Sequence, residues 1–525
     1  MTKKSISRLL QASLMCCLAV LFTACDDVFG NEDNPMSAYL SMSDKPVTLK
    51  AGDTYRRKAI SVTTAVVEYS SSKTDVATVD NEGLVTAKAE GTTTITATAT
   101  GYSSQNGKKI YQPASVSYVV TVTPATVAVT GLTLNKANLR FDKNVLTAQT
   151  LTATVLPLEA TDKSVTWTSS DPTVATVDAN GQVTPKAKGI ATITATTTDG
   201  GKKATSTVYV YDKIHNINTD GNAAVTANES WLIEGDVTTS EYKSITIGAG
   251  ATVTLNGINI KEGIVCSGDA TIILADGSTN TVKGNSWPMT AGIVVGPSGT
   301  TLTIDAETAG DGKLNVTGGS QSAGIGTSYN FSSDITCGAI TINGGEITAT
   351  GGYAAAGIGT ALTILKNSTC GAITINGGTV IATGGGGAAG IGTGEAEENS
   401  SNTCGAITIN GGTVTATGAK YAAGIGTGRA YGSGSNTCGA IAITANVTKV
   451  TVTKGEDSPN IMGVGYASNG GTQTCGTITF GTASVFNGSA WSSDPMAAGT
   501  YGGLNLAIST TTNADDTWTL TPVAP

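Results

Sequence analysis

Short runs in which Thr, Val, Ile and Ala alternate recur along the chain from residue 25 onward, and Gly, Asn and Asp separate them. Alternation at period two sends successive side chains to opposite faces of an extended strand. After residue 24 no stretch of the sequence sustains the 3.6-residue apolar period of an amphipathic helix. The pattern predicts an all-β protein built from many short strands.

The segment from Val67 to Ala97 recurs from Val165 to Ala195, at a fixed offset of 98 residues. Both copies contain Val-Ala-Thr-Val-Asp followed by a polar turn that ends in glycine, at Gly83 in the first copy and Gly181 in the second. Such a turn suits two paired strands, because Asn and Gly tolerate positive φ. The spacing predicts two tandem domains of sandwich size.

These segments resemble the bacterial Ig-like group 2 domain, a module of surface adhesins, over 37–123 and 124–212. The resemblance implies two β-sandwiches that act as spacers in adhesion rather than in catalysis. Neither segment contains cysteine, so packing must stabilise both sandwiches. We expect Tyr69 and Trp167 to fill the two interiors, with sugar stacking as the alternative.

A second repeat covers the C-terminal 300 residues or so. Gly-Ile-Gly and Cys-Gly recur at steps of 33 to 37 residues, the former at Ile325, Ile358, Ile391 and Ile425 and the latter at Cys337, Cys370, Cys404, Cys438 and Cys475. One unit of this length cannot bury its own apolar face, so successive units must stack. The period predicts a parallel β-helix domain over 213–481, in which the helix begins near Ile245 and has roughly eight coils, and a C-terminal cap over 482–525.

The parity of side chains within each unit supports this prediction. Pairs of aliphatic residues share one face of a strand and should stack in the interior: Ile340 with Ile342, Ile373 with Ile375, Ile407 with Ile409, Val380 with Ala382, and Val414 with Ala416. Asn343, Asn376 and Asn410 precede Gly-Gly at matching positions. We expect them to form an amide ladder.

The repeat cysteines occur once per unit, with no CxxC spacing. In-register strands hold their β-carbons too far apart for an easy disulfide, so a ladder of reduced thiols is favoured. Strand parity places each cysteine on the outward threonine face, unless the glycine that follows it marks a corner. The sequence leaves both orientations open.

The first 24 residues have the pattern of an export signal, because Lys3, Lys4 and Arg8 precede an apolar run from Leu9 to Phe22. Leu-Phe-Thr-Ala-Cys at 21–25 resembles a lipobox, which implies cleavage before Cys25 and attachment of lipid to it. The acidic tether at 25–36 resembles the signal that sends some Gram-negative lipoproteins to the cell surface; a charged tether near a membrane is the alternative. This predicts a monomer anchored in the outer membrane.

Composition narrows the possible partners and chemistry. The net charge is −9 and charged residues make up 13% of the chain, which argues against nucleic acid. His215 is interpreted as a linker residue, and Glu395, Glu397 and Glu398 as a solvated loop, with calcium binding as the weaker alternative. The sequence predicts no catalytic residue, no metal ligand and no cofactor.

Five tyrosines near the Gly-Ile-Gly or Gly-Val-Gly elements are the candidate ligand-binding residues: Tyr329, Tyr353, Tyr421, Tyr431 and Tyr466. Their rings could stack on sugars while their hydroxyl groups form hydrogen bonds; loop anchoring is the alternative. Residues 240–480 also resemble surface carbohydrate-binding β-helix domains, which implies polysaccharide or host glycan as partner.

We therefore expect a surface lipoprotein, not an enzyme, that binds polysaccharide or host glycan through a repetitive wall. A β-helix polysaccharide lyase or glycoside hydrolase is the first alternative. Near-identical repeats argue against it, because they create an array of equal sites rather than one cleft, and Arg429 is the one arginine in the repeats. A protein-binding adhesin or structural stalk is the second alternative, and an ice-binding surface of outward threonines is a remote third.

Overall fold

A computed structural model describes residues 36–37, 40–61, 66–100, 111–236, 243–308, 310–488, 497–510 and 516–523. The predicted signal, Cys25 and the rest of the tether up to residue 35 lie outside these residues. The chain packs as two compact units. The first comprises Met1–Asn135, Thr152–Thr166 and Ala195–Ala204, and the second Lys136–Leu151, Trp167–Thr194 and Thr205–Pro525. The described chain is almost entirely β-strand, and one four-residue helix spans Ile217–Asp220.

The first Ig-like segment forms two facing sheets within the first unit. The strands of the larger sheet, in spatial order, are Val47–Lys50, Ala114–Thr123, Gly91–Thr100 and Val66–Ser71, and those of the smaller are Thr54–Arg56, Leu84–Ala87 and Ala77–Val79. Two short pairs, Met36–Ser37 with Tyr111–Gln112 and Leu40–Ser41 with Ile60–Ser61, complete it. Tyr69 packs against the core, as predicted, and its hydroxyl accepts a hydrogen bond from the Ala59 amide at 2.6 Å.

The second Ig-like segment repeats these elements. Its strands are Gly131–Leu134, Asn138–Asp142, Gln149–Thr150, Ala153–Leu156, Val165–Ser169, Ala175–Val177, Gln182–Pro185, Gly189–Thr197 and Lys203–Tyr211. Gly83 and Gly181 both adopt positive φ, at 78° and 79°. A side chain on Gly181 would collide with the Leu151 carbonyl and the Trp167 ring, so the turn glycine is needed for packing as well as for its backbone angle.

The next part of the second unit is a stack of coils in which each strand pairs in parallel with the corresponding strand of the next coil. Strands of one kind form a column along the stack. The Ile-Thr-Ile column contains Lys213–Asn216, Ser230–Asp236, Ala251–Ile260, Ala270–Leu274, Thr301–Ala306, Ala339–Ile342, Ile373–Ile375, Ile407–Ile409, Ile441–Ile443 and Ile478–Phe480. The Thr-Val-Thr column contains Thr279–Lys283, Lys313–Thr317, Glu346–Thr350, Thr379–Thr383, Thr413–Thr417 and Lys449–Thr453.

Three further columns, of nine, five and four short strands, run along the stack. The Gly-Ile-Gly column contains Ala223–Val225, Ile245–Ile247, Ile264–Cys266, Ile293–Val294, Ile325–Gly326, Ile358–Gly359, Ile391–Gly392, Ile425–Gly426 and Met462–Gly463. The cysteine column contains Ile335–Cys337, Ser368–Cys370, Ser401–Cys404, Ser435–Cys438 and Thr472–Cys475. The loop column contains Thr363–Ile364, Ala396–Glu397, Ala430–Tyr431 and Ala467–Ser468. This arrangement confirms the predicted parallel β-helix.

The interior follows the predicted parity, and the predicted aliphatic pairs are fully buried. The amide ladder is also confirmed, since Asn410 donates to Asn376 and Asn376 to Asn343, both at 2.9 Å. The repeat cysteines are free thiols that face the core. The glycine after each of these cysteines therefore marks the corner that the sequence left open. Cys266, in the Gly-Ile-Gly column of an earlier coil, is also a buried free thiol, and burial raises its pKa to about 12.

Parallel pairing begins earlier than Ile245, at Lys213–Asn216, and the Ile-Thr-Ile column has ten strands rather than eight. The interpretation of His215 as a linker residue is therefore wrong. His215 is buried in the first strand, where it stacks on Trp231 and its Nε2 lies 3.0 Å from the Gly221 carbonyl.

Antiparallel strands follow the last coil, at Ala483–Phe486, Gly499–Tyr501, Leu504–Thr510 and Asp516–Pro522. The last of these pairs with Lys449–Thr453, and Trp518 packs edge-on against Phe480 in the core. Pairing of this kind covers backbone groups that an open coil would leave exposed.

Candidate functional site

One position recurs four residues after the buried Ile or Met of each Gly-Ile-Gly strand. Because the strands pair in register, these residues form a row across five successive coils. The row contains Tyr329, Leu362, Glu395, Arg429 and Tyr466. It changes from aromatic to aliphatic, acidic, basic and aromatic again, although the coils around it are nearly identical.

An amide side chain seven residues further along the chain, buried in Asn402 and Asn436 and half-buried in Gln473, bonds to the backbone at three positions of this row. Asn402 donates to the Glu395 carbonyl at 2.9 Å, and Asn436 donates to the Arg429 carbonyl at 2.8 Å. Gln473 donates to the Tyr466 carbonyl at 3.1 Å. Each of these amide nitrogens restrains the backbone at one position of the row. In the described part of the chain, Oδ1 of Asn402 and Oδ1 of Asn436 are buried without a hydrogen-bond partner.

Glu395 and Arg429 form an ion pair between adjacent coils. The Arg429 guanidinium donates to Oε1 of Glu395 through Nε at 2.6 Å and also through Nη2, and Glu397 lies 3.8 Å from Nη2. The Glu395 side chain is 3% exposed and that of Arg429 26%. A side chain on Gly387 would lie 2.4 Å from Oε2 of Glu395, so this turn glycine makes room for the carboxylate. The expectation of a solvated acidic loop is wrong for Glu395.

Burial has the largest effect on the pKa of the Glu395 carboxyl group. It raises the pKa of Glu395 to about 7, because the low-dielectric surroundings disfavour the charged form more than the Arg429 guanidinium favours it, and nearby Glu397 raises it further. Sequence reasoning did not find the pair, although Glu395 and Arg429 both lie four residues after the Ile of a Gly-Ile-Gly element.

Two of the predicted tyrosines lie against Arg429, and a third lies against one of these two. The guanidinium carbon lies 5.4 Å from the Tyr421 ring centroid and 5.3 Å from that of Tyr431. The rings of Tyr421 and Tyr466 are 5.3 Å apart. We call these residues, with Glu395 and Glu397, the Arg429 cluster. Tyr431 and Tyr466 are exposed and Tyr421 is half-buried.

The backbone of Tyr421 has φ of 73°, an uncommon angle for a bulky residue. Lys420 lies beside it, with Nζ 5.1 Å from the Tyr421 ring centroid and within ion-pair distance of Glu456 and Asp457. Cation and aromatic groups are therefore concentrated at one end of the repeat.

The other two predicted tyrosines lie outside this cluster. Tyr353 is 69% exposed in the turn before Ile358. Tyr329 is half-buried at the start of the row, where its amide donates to Ser322 Oγ at 2.9 Å and burial raises the pKa of its hydroxyl group.

Within the described ranges, no group of three or more His, Cys, Asp or Glu side chains is arranged to hold a metal ion. In the same part of the chain, no helix has the length and apolar character needed to cross a membrane.

Two family comparisons agree with the fold. Residues 39–110 and 140–208 match the bacterial Ig-like domain (group 2), and residues 340–361, 373–395 and 407–429 match the beta helix repeat. The predicted resemblance to Ig-like group 2 domains followed by a β-helix is confirmed.

Similar proteins share limited segments with this chain. It is 48% identical to an Ig-like virion protein of Serratia phage KSP90 over 86 residues, which are 16% of this chain and 32% of that protein. It is 46% identical to an alpha-L-arabinofuranosidase of Bifidobacterium longum over 98 residues, 18% of this chain and 8% of the enzyme.

A lacto-N-biosidase of Bifidobacterium bifidum is 47% identical over 91 residues, 17% of this chain and 8% of the enzyme. The chain thus spans at most about a third of the length of these relatives. The matches to the two glycosidases are confined to Ig-like regions.

Proposed function

We propose that this chain, with two Ig-like group 2 domains followed by a β-helix, is a non-enzymatic surface lipoprotein that binds polysaccharide or host glycan through the Arg429 cluster. The lipid would be attached at Cys25 in the outer membrane, and the Ig-like domains would act as spacers. The observation that carries the proposal is the packing of two tyrosine rings, Tyr421 and Tyr431, against the Arg429 guanidinium, with a third ring, Tyr466, against Tyr421.

The chemistry of the cluster suits a sugar. A pyranose ring has an apolar face that packs on an aromatic ring and hydroxyl groups that need hydrogen-bond partners. Tyr431 and Tyr466 offer exposed rings and phenol groups, and Arg429 offers N–H donors. The amide side chains of Asn402, Asn436 and Gln473 and the carboxyl group of Glu395 restrain these groups before a ligand arrives, which lowers the entropic cost of binding.

Replacement of the tyrosines tests this proposal. We expect Tyr421→Gly and Tyr466→Ala each to weaken retention on a glycan array by about tenfold, since each removes one stacking ring. Tyr421→Gly also relieves the positive φ of Tyr421, so the fold should persist, and circular dichroism would check this.

Phe331→Ala is the matched control, because Phe331 is an exposed aromatic residue of a coil three turns earlier. Unchanged retention in both tyrosine variants, or equal loss in the control, would contradict glycan binding by the cluster.

A degradative enzyme is the second candidate, and the same cluster favours it. Glycoside hydrolysis needs one carboxylic acid with a raised pKa beside a second carboxylate. Glu395, whose pKa is raised, and Glu397 are two carboxyl groups that lie close to Arg429. Release of reducing or unsaturated sugar ends from a polysaccharide panel, abolished in Glu395→Gln, would establish it. No release from the panel would remove it.

A further inference from the structure

The turns that follow the Thr-Val-Thr strands stack directly on one another. Each begins at a glycine whose amide donates to a carbonyl at the end of the equivalent strand in the next coil. These bonds run from Gly284 to Thr317, Gly318 to Thr350, Gly351 to Thr383, Gly384 to Thr417 and Gly418 to Thr453, at 2.8 to 3.0 Å. We call the residues two and three places after these glycines the turn rail.

Aromatic residues occupy alternate coils of the turn rail. Trp287, Tyr353 and Tyr421 lie on its first, third and fifth coils. Trp287 is 71% exposed and Tyr353 69%. The second coil carries Ser320 and Gln321 and the fourth carries Gly386 and Gly387, so no bulky side chain separates the aromatic positions.

The spacing of the coils sets the spacing of these rings. Hydrogen-bonded strands lie about 4.8 Å apart, so aromatic positions on alternate coils are about 10 Å apart along the stack. In an extended β-1,4-linked glycan each sugar is turned over relative to the last, so like faces recur at every second sugar. One sugar in such a chain advances by nearly the distance between coils.

We infer that the turn rail binds an extended β-1,4-linked polysaccharide whose chain runs parallel to the axis of the β-helix, with every second sugar stacked on Trp287, Tyr353 or Tyr421. This inference rests on the proposed glycan-binding function and names its ligand class. The Arg429 cluster, which includes Tyr421, forms one end of this extended site.

The length of the ligand provides the first test. Cello-, chito- and manno-oligosaccharides of increasing length would be titrated into the lipid-free chain by calorimetry, beside α-1,4-linked glucose oligomers of the same lengths. A trimer reaches two aromatic positions and a pentamer three. We expect the affinity for at least one β-1,4-linked series to rise by about fivefold or more at the trimer and again at the pentamer, with little gain at the tetramer. Smooth growth with length, or the same steps for α-linked oligomers, would overturn the inference.

Variants provide the second test. Trp287→Ala should abolish the step at the pentamer and keep the step at the trimer, because Tyr353 and Tyr421 remain. Tyr353→Ala should abolish the step at the trimer. Both residues project into solvent, so neither change should alter the thermal transition, and Phe331→Ala, also exposed, should leave both steps in place.

The two proposals fail differently. If the chain binds a glycan that depends on Tyr466 but not on Trp287 or Tyr353, the turn rail is excluded and the Arg429 cluster retained. If no glycan of the array or the oligosaccharide series binds, the proposed function falls and the inference falls with it.

Discussion

In the row, the carboxyl group of Glu395 lies between Leu362, which is uncharged, and Arg429, which is cationic. Removal from water favours the neutral acid, while the Arg429 guanidinium favours the carboxylate, and burial dominates. In the unfolded chain Glu395 would lose its proton near its ordinary pKa of about 4.3. Between that value and about 7 the folded chain holds the proton more tightly, so the contribution of Glu395 to stability falls as the pH rises through this window.

Replacement of Arg429 should increase the dependence of the free energy of unfolding on pH. We expect Arg429→Met to lower the free energy of unfolding by about 3 kcal/mol at pH 8, since it leaves a buried carboxylate without its partner. The cost at pH 5 should be less than half as large, because Glu395 is then largely neutral. Urea unfolding at both pH values measures the difference.

Lys313→Met is the control for Arg429→Met, since Lys313 pairs with Glu346 and both side chains are about half exposed. Its cost should stay below about 1 kcal/mol at either pH. Equal costs of Arg429→Met at the two pH values would show that the ionisation of Glu395 does not set the stability of the cluster.

At the scale of the strand, the columns explain which parts of the site the sequence could reveal. Period-two alternation identified the buried aliphatic pairs and the Asn343–Asn376–Asn410 ladder, because these depend only on parity and on the repeat length. The Glu395–Arg429 pair was not predicted, because Glu395 was interpreted together with Glu397 and Glu398, its neighbours in sequence. The coil register instead places Glu395 beside a residue 34 positions away. Contacts between coils become predictable once residues are compared at equal distances from the Gly-Ile-Gly element.

Gly-Ile-Gly strands fix how closely successive coils approach. A Cβ on Gly392 would lie 1.8 Å from the carbonyl oxygen of Gly426, and Gly392 has φ of 135°. We expect Gly392→Ala to destabilise the chain by at least about 3 kcal/mol, because both coils would have to separate. Thermal unfolding followed by circular dichroism measures this change.

Gly257→Ala is the control that measures the cost of a positive φ without steric overlap. Gly257 also has positive φ, at 75°, but no atom lies within 4 Å of a Cβ built there. Its substitution should cost only about 1–2 kcal/mol, the penalty for placing a side chain on a left-handed residue. If the two variants lose equal stability, the approach of the coils is not the constraint.

At the scale of the whole chain, the two repeats were visible because their periods are nearly constant. The offset of 98 residues located the Ig-like pair, and steps of 33 or 34 residues located the regular coils. The first coils were not predicted. Their corresponding buried residues, Val225, Ile247 and Cys266, are separated by 22 and 19 residues, and these spacings are too short and too irregular for a period to appear. Their strands keep the buried aliphatic positions of the later coils without the Gly-Ile-Gly signature.

The second unit joins residues of the second Ig-like segment to the first coils, and Asp212 connects them. Its carboxylate accepts hydrogen bonds from Lys143 at 2.7 Å and from the Ser230 amide at 2.7 Å, and pairs with Lys188 at 2.8 Å. Burial alone would raise the pKa of Asp212. The hydrogen bonds and ion pairs with these partners have a larger, opposite effect, so the pKa is lowered to about 2. The Asp212 carboxylate therefore makes its full contribution to the free energy of unfolding above the ordinary pKa of about 3.9. This contribution is lost as the pH falls through about 2.

Asp212→Asn should consequently destabilise the second unit by about 2 kcal/mol near neutral pH, the equivalent of this lowering of the pKa. The difference from the unaltered chain should shrink toward zero as the pH falls through about 2, because protonation then removes the same charge from both proteins. Urea unfolding across this range provides the measurement. Glu82→Gln, which removes an exposed partner of Arg56, should change stability by less than about 1 kcal/mol. A constant difference between Asp212→Asn and the unaltered chain at all pH values would mean that Asp212 acts through its shape and not through its charge.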